Sequence, residues 1–380
     1  EVVEPPCAVA FGEGEVADAI AEHGAGASSF SDWWAYKIEA YDAIPYNPAM
    51  MDDAGMVSSI NSDSDDLIRR LNTEAGKSLR YADIDWETAL SFATKNVATQ
   101  LWIEDTVGTL EVGKHGTVAV WDAEPLSTYA RCHLTLARGR TLFEWKPDND
   151  GTWQDYTDAV ATFAAKVANR NGTSEEDRAQ PQLDASEAEW EAWTHLGRGK
   201  HYLIDNVRIH SMVDEPFKGW LEVRNGRIQR VGSGSFSLQK PTGATMIDGR
   251  GMGLYPGFIN GTDATGLYEI GSVRGTDDRR ETGTDHPDLS IASAIHADSA
   301  HHDVTRMHGT THVFVRPRFG RIMGQGALIQ LEGETTDEMV VTKDLGLVIR
   351  FPLGCKSSSL SAQRSALKPG AQHGYRMIPV

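Results

Sequence analysis

The hydrophobic period of this chain changes several times along its length, and the order of those changes limits what it can fold into. Near the start the period is helical. Val16, Ala17, Ile20 and Ala21 fall on one face over residues 14 to 24, and Gly24 is placed to end the helix. Met56 to Asn61 is a short apolar segment that closes on Ser62-Asp63-Ser64. Residues 85 to 95 read as an amphipathic helix capped by Asp85, with Asn96 at its exit. From Thr106 the period becomes two: Leu110 and Val112 lead into Gly113-Lys114-His115-Gly116, and Val118 and Val120 lead out, which predicts a hairpin. Lys146 to Lys200 is polar and reads as a connector with a helix inside it, carried by Trp153, Tyr156, Val160, Phe163 and Val167. Alternation returns over Tyr202 to Ile209 and Trp220 to Val231, where Asn225-Gly226 supplies the two positive-φ positions of a tight hairpin. Leu254 to Ile259, Thr311 to Val315, Ala327 to Leu331 and Gly346 to Phe351 read as strands, and Asp288 to Met307 as helix. The order is β/α, β, connector, β, β/α.

Charge narrows the partners. The 36 basic and 54 acidic side chains leave a formal net charge of −18, with no basic stripe, which argues against nucleic acid and anionic membrane surfaces. No run of about 18 apolar residues occurs, so no membrane insertion is expected. Cys7, Cys132 and Cys355 lie too far apart in sequence to suggest a zinc knuckle or a disulfide framework. Glu1-Val2-Val3-Glu4 has neither a Met nor a leader pattern, and the start reads as cut, mature or incomplete.

Several motifs resemble the amidohydrolase superfamily, in particular its imidazolonepropionase-like metal-dependent hydrolases. Val107-Gly-Thr-Leu-Glu-Val-Gly-Lys114, Val118-Ala-Val-Trp-Asp122, Pro125-Leu-Ser127 and Gly139-Arg140 are similar to the family's C-terminal strands. Leu221 to Gly232, Ile247-Asp248 and Tyr255-Pro-Gly-Phe-Ile-Asn260 are similar to its N-terminal strands leading into the first barrel strand. The family order is inverted, as in a circular permutation or in the C-terminal part of one module followed by the N-terminal part of another. Only about five of the eight strands of a closed barrel can be placed, which favours the tandem arrangement.

The resemblance therefore implies an α/β protein with partial TIM-like (β/α) barrel segments and a small β-sandwich built from the family's two ends. Residues 1–106 would be the last strands and helices of a barrel, and 107–145 the C-terminal sandwich strands. Residues 146–200 would be a polar, partly helical linker, 201–255 the N-terminal sandwich strands, and 256–380 the first part of a second barrel. It also implies a hydrolase for carbon–nitrogen bonds other than peptide bonds, acting on a small-molecule substrate such as a cyclic amide. A divalent metal, zinc, would activate water, because imidazoles and a carboxylate that leave one position open lower the pKa of bound water.

Asp63 matches the family's carboxylate after the last barrel strand, and is expected both as metal ligand and as proton acceptor. The other metal position departs from the pattern: Thr262-Asp263-Ala264 stands where the family writes His-x-His, and neither Thr nor Ala replaces an imidazole. The chain is accordingly expected to be an incomplete, inactive portion, with the metal confined to the complete module. The alternative is a non-catalytic amidohydrolase-like module for assembly or ligand binding, beside a neighbouring module or in a homo-oligomer. An extracytoplasmic home is an expectation from the resemblance. His301, His302, His308 and His312 read as surface and loop histidines, and Trp33 and Trp34 as core residues rather than pocket lining.

Overall fold

The computed structural model describes residues 8–10, 17–31, 33–34, 43–62, 64–145, 201–351 and 374–378. The chain begins with β1 (Ala8–Ala10), α1 (Ala17–His23), β2 (Ala27–Ser29), α2 (Asn47–Asp53) and β3 (Ser58–Ile60). Gly24, at φ +80°, ends α1 as its position in the sequence suggests. Three helices follow: α3 (Leu71–Tyr81), α4 (Trp86–Ser91) and α5 (Lys95–Gln100). Asp85 caps α4, its Oδ1 accepting from the Thr88 amide at 2.7 Å. The chain kinks at Thr94 and continues as α5, so the exit expected at Asn96 falls inside a helix.

Then come β4 (Val118–Trp121), β5 (Cys132–Ala137) and β6 (Arg140–Glu144), and after residue 200 β7 (Tyr202–Ile209), β8 (Phe217–Arg224), β9 (Arg227–Ser233), β10 (Thr245–Asp248) and β11 (Gly253–Pro256). The last part carries β12 (Phe258–Asp263), α6 (Ala300–Arg306), β13 (Thr310–Val315), β14 (Ile322–Gln330), α7 (Thr336–Met339), β15 (Val340–Phe351) and β16 (Gly374–Ile378). The single helix expected over 288–307 is a 3₁₀ turn, Ile291–Ala294, followed by α6, with Ser299 capping α6 by accepting from the His301 amide.

Two sheets organise these strands. One runs β12-β13-β14-β15-β16-β1-β2-β3, and the other β6-β5-β4-β11-β7-β8-β9, with β10 on β7. The expected small sandwich is thus one hydrogen-bonded sheet, joined where β4 and β11 pair antiparallel from Val118↔Pro256 to Trp121↔Gly253. Within it Asn225 and Gly226, at φ +52° and +73°, make the tight β8–β9 turn. The expected Leu110–Val120 hairpin does not form. Its turn instead lies along β9, with the Gly113 amide donating to the Ile228 carbonyl at 2.8 Å. Leu110, Val118, Leu136, Ile204, Leu221, Val223 and Ile228 share one core, so the sheet rolls around its own apolar face.

The other sheet draws on both 1–106 and 256–380, the segments expected in two separate barrels, and it does not close. Its two edge strands, β3 and β12, are instead bridged by the segment between α4 and α5. The Ile60 amide donates to the Phe92 carbonyl and the Ile259 amide to the Ala93 carbonyl, both at 2.9 Å. A core containing Ile60, Leu90, Phe92, Trp121, Tyr255 and Phe258 spans this seam and the neighbouring sheet. No helix among the described residues is long and apolar enough to cross a membrane.

Candidate functional site

The carboxyl ends of β3 and β12 meet at this seam and carry an unusual density of buried polar groups. Parallel strands deliver their chemistry at that end. On β12, Asn260 pairs with Val313 but Asp263 with Val315, three steps against two, so the strand holds one extra residue as a bulge. Bulges re-aim side chains, and here the Asn260 Nδ2 donates to Asp263 Oδ2 at 3.2 Å. Just beyond β3 the Ser62 amide donates to Asn260 Oδ1 at 2.9 Å, and the Ser62 hydroxyl lies 3.4 Å from Asp263 Oδ2. The Ala264 amide donates to the other Asp263 oxygen at 2.6 Å. Just after β13, Arg316 donates its backbone N–H to the Asp263 carbonyl at 2.9 Å and its Nε to the Thr262 hydroxyl. Asp263 and Arg316 are only 2% and 5% exposed. Charged groups this deep persist when hydrogen-bonded on all sides, and the contacts described here meet that demand for the carboxylate.

A serine-rich layer supports the seam from β2 and β3. Asn61 Nδ2 donates to Ser28 Oγ and Asn47 Nδ2 to Ser29 Oγ, both at 2.8 Å, and Ser31 Oγ donates to the buried Glu74 Oε2 at 2.8 Å. On the loop side, the Tyr268 hydroxyl donates to Asp65 Oδ1 at 2.7 Å and His301 Nδ1 lies 3.3 Å from Asp65 Oδ2. Burial first, and then the Asp65 bond, push the Tyr268 phenol well above its usual range, so it stays protonated. The Arg279 guanidinium lies 4.0 Å from the Tyr268 ring centroid and forks onto Asp277 at 2.7 and 2.9 Å. Those hydrogen bonds raise the Arg279 pKa and lower that of Asp277. This network pins the loop after β3 to the loop after β12.

Asp63 lies outside the described residues. Its neighbours do not: Ser62 Oγ donates to the Ser64 carbonyl at 2.6 Å, beside Asn260 and Asp263. Thr262 lies in β12 with Ala264 immediately beyond, both buried. The four histidines do not converge, and two of them are far from the surface. His302 and His312 are each 1% exposed. His302 Nε2 bonds the His296 carbonyl at 3.1 Å, whereas His312, on β13, bonds the Thr311 hydroxyl at 3.1 Å. His308 Nδ1 lies 2.9 Å from the Val304 carbonyl, and His301 serves Asp65. Trp33 stacks on the core residue Phe30 with ring centroids 4.6 Å apart, while Trp34 is 49% exposed and is not core. Among the described residues no group of three or more His, Cys, Asp or Glu side chains could hold a metal ion.

Sequence reasoning stopped at Thr262 and Ala264 and passed over Asp263 between them. Arg316 left no local signal, since its partner is 54 residues away in the chain. Asp65, Tyr268 and His301 were likewise invisible, because only the fold brings them together.

No family model matches the chain, and no curated protein matches it. A solved structure does. It is an amidohydrolase from Thermotoga maritima MSB8, 25% identical over 38% of this chain and 38% of that one, with a TM-score of 0.33. The chain therefore spans well under half the length of that structure.

Proposed function

We propose that this chain is an amidohydrolase-like module that binds a small polar ligand, such as a cyclic amide, at the β3–β12 seam without metal catalysis. One observation carries the reading: the Arg316 guanidinium is hydrogen-bonded to the Thr262 hydroxyl, the position at which the family resemblance would place the first metal-binding imidazole. A buried guanidinium is a permanent cation, and at a few ångströms in a poorly solvated site it repels a divalent ion. Thr262 and Ala264 offer no imidazole, and the Asp263 oxygens already accept from Asn260, Ser62 and the Ala264 amide. The residues present do not fit the zinc site that the resemblance implies. What they provide is hydrogen-bonding specificity: an amide, a carboxylate and a guanidinium held rigidly at the ends of packed strands.

The motifs resembling the two ends of the family support the relationship, and so does their meeting in one sheet through β4 and β11. The test is elemental analysis of the full chain after dialysis against zinc, beside Asp63→Ala, together with calorimetric titration of cyclic amides against wild type and Arg316→Met. Negligible metal in both proteins, with ligand heat that Arg316→Met abolishes, is the expected result. Stoichiometric zinc that Asp63→Ala removes would restore Asp63 as a ligand and proton acceptor in a working hydrolase, and would overturn this reading.

A further inference from the structure

A second polar cluster lies away from that seam, between the two sheets, and its centre is Arg138. Arg138 and Gly139 form the two-residue loop of the β5–β6 hairpin, at φ +49° and +72°. Such turns favour Asn, Asp or Gly at the first position and normally face solvent, whereas Arg there adopts a backbone conformation that L side chains seldom take. Yet Arg138 is only 7% exposed. A residue that is both unfavourable in its turn and buried points to a role for its side chain.

Its surroundings leave that side chain undercompensated. Nε donates to His115 Nδ1 at 3.4 Å, and Nη1 is buried with no hydrogen-bond partner among the described residues. The carboxylate that favours its charge, Glu332, is committed elsewhere: Oε1 takes the Arg140 guanidinium, and Oε2 accepts from Gln330 Nε2 at 3.3 Å. His115 and His312 stay uncharged, chiefly through burial and then through the repulsion of Arg138; their pKa values are held down to about 4 and about 3. Two further buried groups without a partner stand near these histidines in the sequence. Thr117 and Thr310, each two residues from one of these histidines, have buried hydroxyls that are unpaired among the described residues. A buried cation with an open N–H is the donor of an anion site, and unpaired buried groups of this kind call for an ion or water.

We propose that a small monovalent anion, a halide such as chloride, binds between the two sheets on Arg138 Nη1. A monatomic anion is favoured, because one open guanidinium nitrogen leaves too few donors for the several oxygens of a phosphate. The overall charge of −18 makes a buried, unpaired positive group of this kind distinctive, and the anion would tie β5 to β13.

The test uses the full chain. Melting is followed while sodium gluconate is exchanged for sodium chloride or bromide at constant ionic strength, so that general screening of an acidic protein is held fixed. Wild type should gain a saturable, halide-specific rise in melting temperature. Arg138→Met should lose it, and Arg138→Lys, a charge-retaining change kept in case the first variant folds poorly, should weaken the apparent halide affinity several-fold. Crystals soaked in bromide should show an anomalous peak within hydrogen-bond reach of Arg138 Nη1. No halide-specific rise and no bromide peak at Arg138 would overturn the proposal and leave buried water as the partner of these groups.

Discussion

His302 and His312 are imidazoles that folding keeps neutral. Burial is the larger cause for both, with the nearby arginines second: Arg306 for His302 and Arg138 for His312. Each pKa is pulled from the usual 6.5 down to about 3. The sign follows from linkage: below about pH 6.5 the unfolded chain takes up a proton at each site and the folded chain does not, so stability falls as pH falls towards 3. The denaturant midpoint should therefore drop steadily from pH 7 to pH 5. His302→Gln, whose amide nitrogen can reach the position of Nε2 and keep the bond to the His296 carbonyl, should flatten part of that drop. An equal drop in wild type and variant would mean that His302 is not buried in its neutral form. None of this was legible in the sequence. The four histidines looked like one exposed group because they are close in number, whereas strand alternation and the turn after α6 send them to different surroundings.

At the scale of elements, Gly257 is where the chain passes from one sheet to the other, between β11 and β12. A Cβ there would sit 2.4 Å from Thr311 Cγ2, and the Gly257 amide donates to the Thr117 carbonyl at 3.3 Å. Gly257→Ala should cost about 1–3 kcal/mol by overpacking, read as a lower melting temperature with the helical circular-dichroism signal retained. Gly113→Ala is the contrasting control, since open space surrounds that position and its penalty comes from backbone strain at φ +96°. If both variants melt alike, the crossing is looser than its geometry implies. Elements governed by local rules were readable beforehand: the Asn225-Gly226 turn, the Asp85 cap and the Gly24 stop each need only neighbouring residues. Elements governed by distant partners were not. The Gly113–Gly116 turn has hairpin chemistry, but the Gly113 amide finds Ile228 instead, 115 residues along the chain, and tertiary pairing overrides the local preference. The bulge that turns Asn260 towards Asp263 depends on its register with β13, which no single strand can encode.

For the whole molecule, the observation that matters most is that neither sheet is built from one contiguous stretch. The first part of the chain gives β1 to β3 to one sheet and β4 to β6 to the other; the part after residue 200 gives β7 to β11 and then β12 to β16. The motifs that resemble the two ends of one family are thus complementary halves of a common sheet, held by the β4–β11 ladder and by the apolar cluster of Trp121, Tyr255 and Phe258 that runs between the sheets. Ladder hydrogen bonds and shared burial hold pieces together whether or not the chain is continuous between them. A protease site inserted between residues 146 and 200 and then cut should therefore leave residues 1–145 and 201–380 migrating as one particle on native size exclusion, and as two bands on a denaturing gel. Trp121→Ala should promote their separation, because it removes the largest side chain at the junction. Fragments of unmutated protein that part on the native column would show that each half is completed by a partner module and not by the other half of the same chain.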